Sequence, residues 1–196
     1  MSSNAVLLLH PGLLGRILSQ KEVMLYPPNH RREAMKKRRL TLDDWLNRAG
    51  MTGLSINAGI LGMEFKPQNA DRDAAWEMYV ELLTRIATQP LPEPHGDEGT
   101  ALESVFKLFE ITRQVIKRHG WRCIEFTKIA VVVLNQIIRP FTARWHRLSL
   151  QGAFDDPEQC VQFRQELAEL QTRLRGYNRL LAEMAGVEDL TGLEEG

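Results

Sequence analysis

Hydrophobic side chains recur at helical spacing through the second half of the chain. Cys160, Phe163, Leu167, Leu170, Leu174, Tyr177, Leu181 and Met184 follow one another at alternating steps of three and four residues. This is an a/d stripe, the pattern of a helix packed knobs-into-holes along its whole length. Asp155 or Asp156 can cap it, Pro157 suits its first turn, and Gly186 stops it. Charged residues, among them Glu166, Glu169, Arg173, Arg175 and Arg179, flank it.

Three further segments carry the same period. Residues 71–88 place Ala75, Tyr79, Leu82, Leu83 and Ile86 on one stripe. A loop follows, because Pro90, Pro92 and Pro94 permit neither helix nor strand. Thr100, with Glu103 three residues later, forms a capping-box pattern for a helix running to Gly120, with Leu102, Val105, Phe106, Phe109 and Ile116 as its stripe. A helix over 126–148 contains the run Ile129 to Leu134, which is apolar on every side and so predicts burial on every side. Pro140 should kink that helix and free a carbonyl near Gln136.

The first 69 residues are patterned differently. The stretch from Ala5 to Leu18 is apolar but interrupted by His10, Pro11 and Arg16, and is too short to span a bilayer. It also lacks the basic start and small-residue cleavage site of a secretory signal. Thr41 is an N-cap candidate, with Asp43 and Asp44 in the first turn and Gly50 as the stop. Leu54, Ile56, Ala58 and Ile60 share a parity that fits a short strand or extended arm. The fold predicted is all-α: a four-helix bundle-like core over about 70–186. An irregular basic N-terminal region over 1–69 adds a short helix or strand, and 187–196 form an acidic, frayed tail.

Composition agrees with an ordinary folded chain. There are 196 residues, 43% hydrophobic and 26% charged, enough to bury a core without disulfides or metal. Two cysteines, Cys123 and Cys160, exclude a disulfide scaffold. Together with the missing secretory signal, this points to the cytoplasm. The 25 basic and 25 acidic residues cancel in sum but not in place. Net charge is +6 over 1–39, −7 over 40–112, +7 over 113–147 and −6 over 148–196.

Two basic clusters are therefore candidate contact surfaces for nucleic acid or a partner. One is Arg31, Arg32, Lys36, Lys37, Arg38 and Arg39, flanked by Tyr26 and Trp45; the other includes Arg113, Lys117, Arg118, Arg122, Lys128, Arg144 and Arg147. Density argues that many of these face solvent, since six cations in nine residues crowd any internal carboxylates. A third candidate is the polar strip Asn135, Arg139 and His146 on the 126–148 helix. It either forms an internal network with an acid such as Glu77 or Glu110, or presents an Arg/aromatic contact surface.

Motifs for chemistry are missing. No Glu-x-x-His occurs, so a di-iron bundle is excluded, and no second Cys/His pair accompanies His119 and Cys123 to make a zinc site. There is no nucleophile elbow and no phosphate-binding glycine loop. No cofactor, metal, membrane or small-molecule substrate is called for, and no catalytic residue is assigned. The leading expectation is a non-catalytic helical interaction protein, a subunit or adaptor that binds a protein partner or itself and touches nucleic-acid backbone through its basic patches. A nucleic-acid-binding module ranks second. An enzyme with a site near Cys123, His146 and Arg139 ranks third.

Overall fold

The computed structural model describes residues 40–92 and 96–193, and among them the fold is all-α with no strand. Its helices are α1 (Leu42–Arg48), the single turn α2 (Ala58–Leu61), α3 (Asn69–Leu83), α4 (Glu98–Phe106), α5 (Leu108–His119), α6 (Ile124–Val133), α7 (Arg139–Ser149) and α8 (Pro157–Ala185).

The long a/d helix is the organising element. Asp156 caps α8 by accepting the Glu158 N–H, Pro157 occupies its first turn, and Gly186 ends it at φ +76°. Leu167, Leu170 and Leu174 are buried within the chain, as are Phe163, Tyr177, Leu181 and Met184. The stripe thus packs intramolecularly, chiefly against α3, whose Ala74, Ala75, Met78, Tyr79 and Leu82 face it. Cys160 is only partly covered, because it lies in the first turn beside Phe154 rather than opposite α3.

Several sequence expectations need correction. The 126–148 helix is not the most buried: Val131 is 42% exposed. An apolar circumference permits burial on all sides, but only one face of α6 meets the core, while α8 has neighbours along its length. The capping residue of α4 is Asp97, three positions before Thr100; its carboxylate accepts the Thr100 N–H. Phe106, placed on the buried stripe, is 57% exposed: the buried face runs through Ala101, Val105, Leu108, Thr112 and Val115, and Phe106 lies one residue off it. The alternation over 54–60 does not make a strand. Asn57 instead caps the turn α2 through the Gly59 N–H, and the nearest thing to a sheet is one isolated bridge between Thr41 and Glu64.

Residues on both sides of the expected core join it. Thr41 and Asp44 form a reciprocal capping box, and α1 buries Leu42 and Leu46 in the same cluster as Ala49, Met51 and Phe65. At the other end, the segment expected to fray is docked at Leu190 and Thr191. The Tyr79 hydroxyl accepts the Leu190 N–H at 2.7 Å, and Asn178 Nδ2 donates to Thr191 Oγ1 at 3.1 Å.

The helix departs from α geometry just before Pro140. The helix does not simply bend; it inserts a π turn at Leu134–Ile138, where the Arg139 N–H reaches the Leu134 carbonyl five residues back. Gln136, inside this turn, clamps the backbone of Ser55: its Oε1 accepts the Ser55 N–H at 2.8 Å and its Nε2 donates to the Ser55 carbonyl at 2.7 Å.

Candidate functional site

The polar strip assembles beside the π turn. Arg139 is the first residue of α7, and its Nε donates to Asn135 Oδ1 at 3.1 Å. Its guanidinium lies 5.1 Å from the centroid of Phe109 on α5. Neither expected acid is its partner. Glu110 accepts from Gln114, and Glu77 on α3 is taken by His119 Nε2 at 2.9 Å and by Arg118. An amide and a ring hold the guanidinium without neutralising it, so its charge remains available.

Arg139 and His146 from α7, with Arg113 from α5, line a groove of about 410 Å³ between α4–α5 and α7. Phe106 and Phe109 supply its apolar wall, their centroids 5.7 Å apart. Phe106 enters this groove from the flank of the buried face, while Phe109 stays 7% exposed beneath Arg139. Arg113 makes no ion pair with a described residue, and Glu103 and Glu110 on the rim leave the groove mixed in charge but cation-rich. The Thr142 hydroxyl in its wall donates to the Ile138 carbonyl at 3.0 Å. The groove is therefore equipped to bind an anionic group beside an apolar one.

Cys123, His146 and Arg139 do not form one site. Cys123 opens α6 and His146 lies 23 residues later near the end of the same helical path, about 35 Å away at 1.5 Å per residue. The Cys123 thiol is fully buried and donates to the Gly120 carbonyl at 3.1 Å. Burial pushes the Cys160 thiol above its ordinary range, with the Glu98 carboxylate acting in the same direction. Burial likewise raises the Tyr177 phenol. No cluster of three or more His, Cys, Asp or Glu able to hold a metal occurs among the described residues.

The second basic cluster divides. Arg118 and Arg144, from the group of which some were expected to face solvent unpaired, pair with acids of the same chain, Arg118 with Glu77 and Arg144 with Glu166 at 2.7 Å; Lys128 pairs with Glu125 at 2.8 Å. The reason is local: helix packing brings Glu77 and Glu166 within reach, and Glu125 lies one turn before Lys128. Arg113, Lys117, Arg122 and Arg147 are exposed, with no ion pair to a described residue. The first cluster, Arg31, Arg32, Lys36, Lys37, Arg38 and Arg39, lies outside the described residues.

Two features of the surface escape the sequence pattern. Phe106 looks like a core residue because it adjoins the buried Val105 in the apolar pattern. Trp121 follows the helix-ending Gly120 and is 87% exposed; its position after a glycine stop is the only signal for it. No helix of the described residues is long and apolar enough to cross a membrane. No protein-family model matches the chain, and no curated protein or solved structure is significantly similar to it.

Proposed function

We propose that this chain is a non-catalytic helical interaction protein, a subunit or adaptor whose docking surface is the groove between α4–α5 and α7. The observation that carries the reading is the pairing of the half-exposed Phe106 ring with the un-neutralised guanidiniums of Arg113 and Arg139 across one groove. Arginine and aromatic side chains are the residues that concentrate binding energy at protein interfaces. The groove matches an acidic segment of a partner protein, with a carboxylate meeting Arg139 and Arg113 and an adjacent apolar side chain resting on Phe106.

Selection of a random peptide library on the full chain tests this. Enriched peptides should combine Asp or Glu with a neighbouring aromatic or aliphatic residue. Each of Phe106→Ala and Arg139→Ala should weaken their binding at least fivefold, the effect of about 1 kcal/mol. Basic peptides, or acidic ones that bind both variants as tightly as the original chain, would overturn the assignment.

A further inference from the structure

We propose a second contact site, at the turn Gly120–Arg122, that takes single-stranded nucleic acid: Trp121 stacks on a base, and Lys117, Arg122 and Arg113 meet the phosphates beside it. The site shares Arg113 with the groove, but Trp121, Lys117 and Arg122 lie outside it. Trp121 is the most exposed of the large apolar side chains among the described residues, at 87%. It makes no hydrogen bond or ring contact with any described residue, so both faces of the indole are open.

The ring is presented from a fixed base. Gly120 adopts φ +67°, a conformation that L side chains rarely take, and the chain leaves α5 there. A 3₁₀ turn follows, pinned by the buried Cys123, whose N–H and thiol both donate to the Gly120 carbonyl. An indole held clear of a rigid turn loses little freedom when it stacks, and every base offers a face to it.

The charge around the ring is positive and uncompensated. Lys117 and Arg122 carry no ion pair with a described residue. Two carboxylates of the neighbouring elements, Glu77 and Glu125, are already matched, the first by Arg118 and His119 and the second by Lys128. Arg113 lies one turn before Lys117 on α5. The line from Arg113 to Trp121 spans eight residues, about 12 Å along the helix axis. A row of cations receding from an exposed ring fits a flexible polyanion laid along α5. A bilayer surface, though it would accept Trp121 and the half-exposed Ile124, would meet only the tip.

The test uses the full chain and a labelled thymidine oligonucleotide of about twelve nucleotides, within the usual site size for such contacts. Binding should appear at low salt and be accompanied by tryptophan quenching. Trp121→Ala should abolish that quenching and weaken binding about 5- to 150-fold, the range expected for one stacked base, while Trp121→Phe should retain part of it. Replacing Lys117 and Arg122 by Ala should flatten the dependence of log affinity on log salt by about 0.7 per lost contact. No binding at low salt, equal affinity of Trp121→Ala, or Trp121-dependent binding to phosphatidylserine vesicles without binding to the oligonucleotide would each overturn the proposal. All three substitutions fall on exposed positions, so unchanged helical content identifies a binding effect.

Discussion

The buried carboxylate of Asp71 ties together the starts of two helices: its Oδ1 accepts the Phe126 N–H at 3.0 Å, across 55 residues of sequence, and its Oδ2 accepts the Gln68 N–H at 2.8 Å. Phe126 lies in the first turn of α6, where backbone N–H groups have no partner within their own helix. Asp71 is itself the third residue of α3 and closes that helix's capping box. One side chain thus satisfies an orphan donor at each of two helix N-termini, where its negative charge is also favoured by both dipoles.

Removing that side chain should leave two N–H groups without an acceptor, one of them fully buried. Asp71→Ala is expected to cost about 2–6 kcal/mol, each stranded donor contributing about 1–3. Asp71→Asn keeps one acceptor oxygen and should cost less. Urea unfolding of the three proteins gives the order; a loss below 1 kcal/mol for the alanine variant would mean that water replaces the carboxylate.

A second prediction concerns close approach. A Cβ added at Gly176 would lie 2.7 Å from the Ala49 carbonyl oxygen, which is backbone and cannot step aside. Gly176 belongs to α8, where alanine is intrinsically the better helix former by about 1 kcal/mol. The clash should outweigh that gain, and Gly176→Ala should be destabilised by about 1–3 kcal/mol and loosen α1 against α8. Thermal melts decide it, since a raised Tm would show that propensity wins.

How far these features could be read from sequence depends on their range. The heptad stripe of α8 depends on spacing alone, so every member from Phe163 to Met184 was legible, as were the stops at Gly50, Gly120 and Gly186. The Thr41 cap was legible because its partner Asp44 is three residues away. The link from Asp71 to Phe126 was not, because nothing local marks which distant N–H a carboxylate will meet. The groove was half legible. Asn135, Arg139 and His146 were identifiable as a polar strip, but Phe106 was assigned to the core because the apolar pattern offers both Val105 and Phe106, and only packing decides that Val105 faces inward. The pairing of Arg118 and Arg144 with Glu77 and Glu166 likewise required the packing of α3 on α5 and α7 on α8.

Truncating the stripe provides a third prediction. Leu167 and Leu174 are 1% and 0% exposed, at the contact of α8 with the rest of the core. Leu→Ala at either should cost about 2–5 kcal/mol. The chain should keep its cooperative transition, with the midpoint moved to lower urea and little change in slope. A cost under 1 kcal/mol at both positions would contradict the packing described for α8.

The last prediction is a pH dependence at Asp97. This carboxylate caps α4, and hydrogen bonds from Thr100, first from its side chain and then from its backbone N–H, hold its pKa below the ordinary value of 3.8. A group whose folded pKa is lowered binds its proton less readily in the native state than in the unfolded one. Its contribution is therefore present above the unfolded value and is lost as pH falls through the folded value. The side chain is exposed, so solvent screens the electrostatic part and the cap should behave as an ordinary one, with Asp97→Ala costing about 0.5–2 kcal/mol at neutral pH. Asp97→Asn retains a capping oxygen without the charge. The difference in stability between the original chain and Asp97→Asn should accordingly be constant from neutral pH down to about 5, then shrink once pH drops below 3.8. Chemical denaturation of both proteins across that range measures it. A difference that persists unchanged into strong acid would show that the charge of Asp97 contributes nothing to α4, and that its hydrogen bonds to Thr100 act only as a neutral cap.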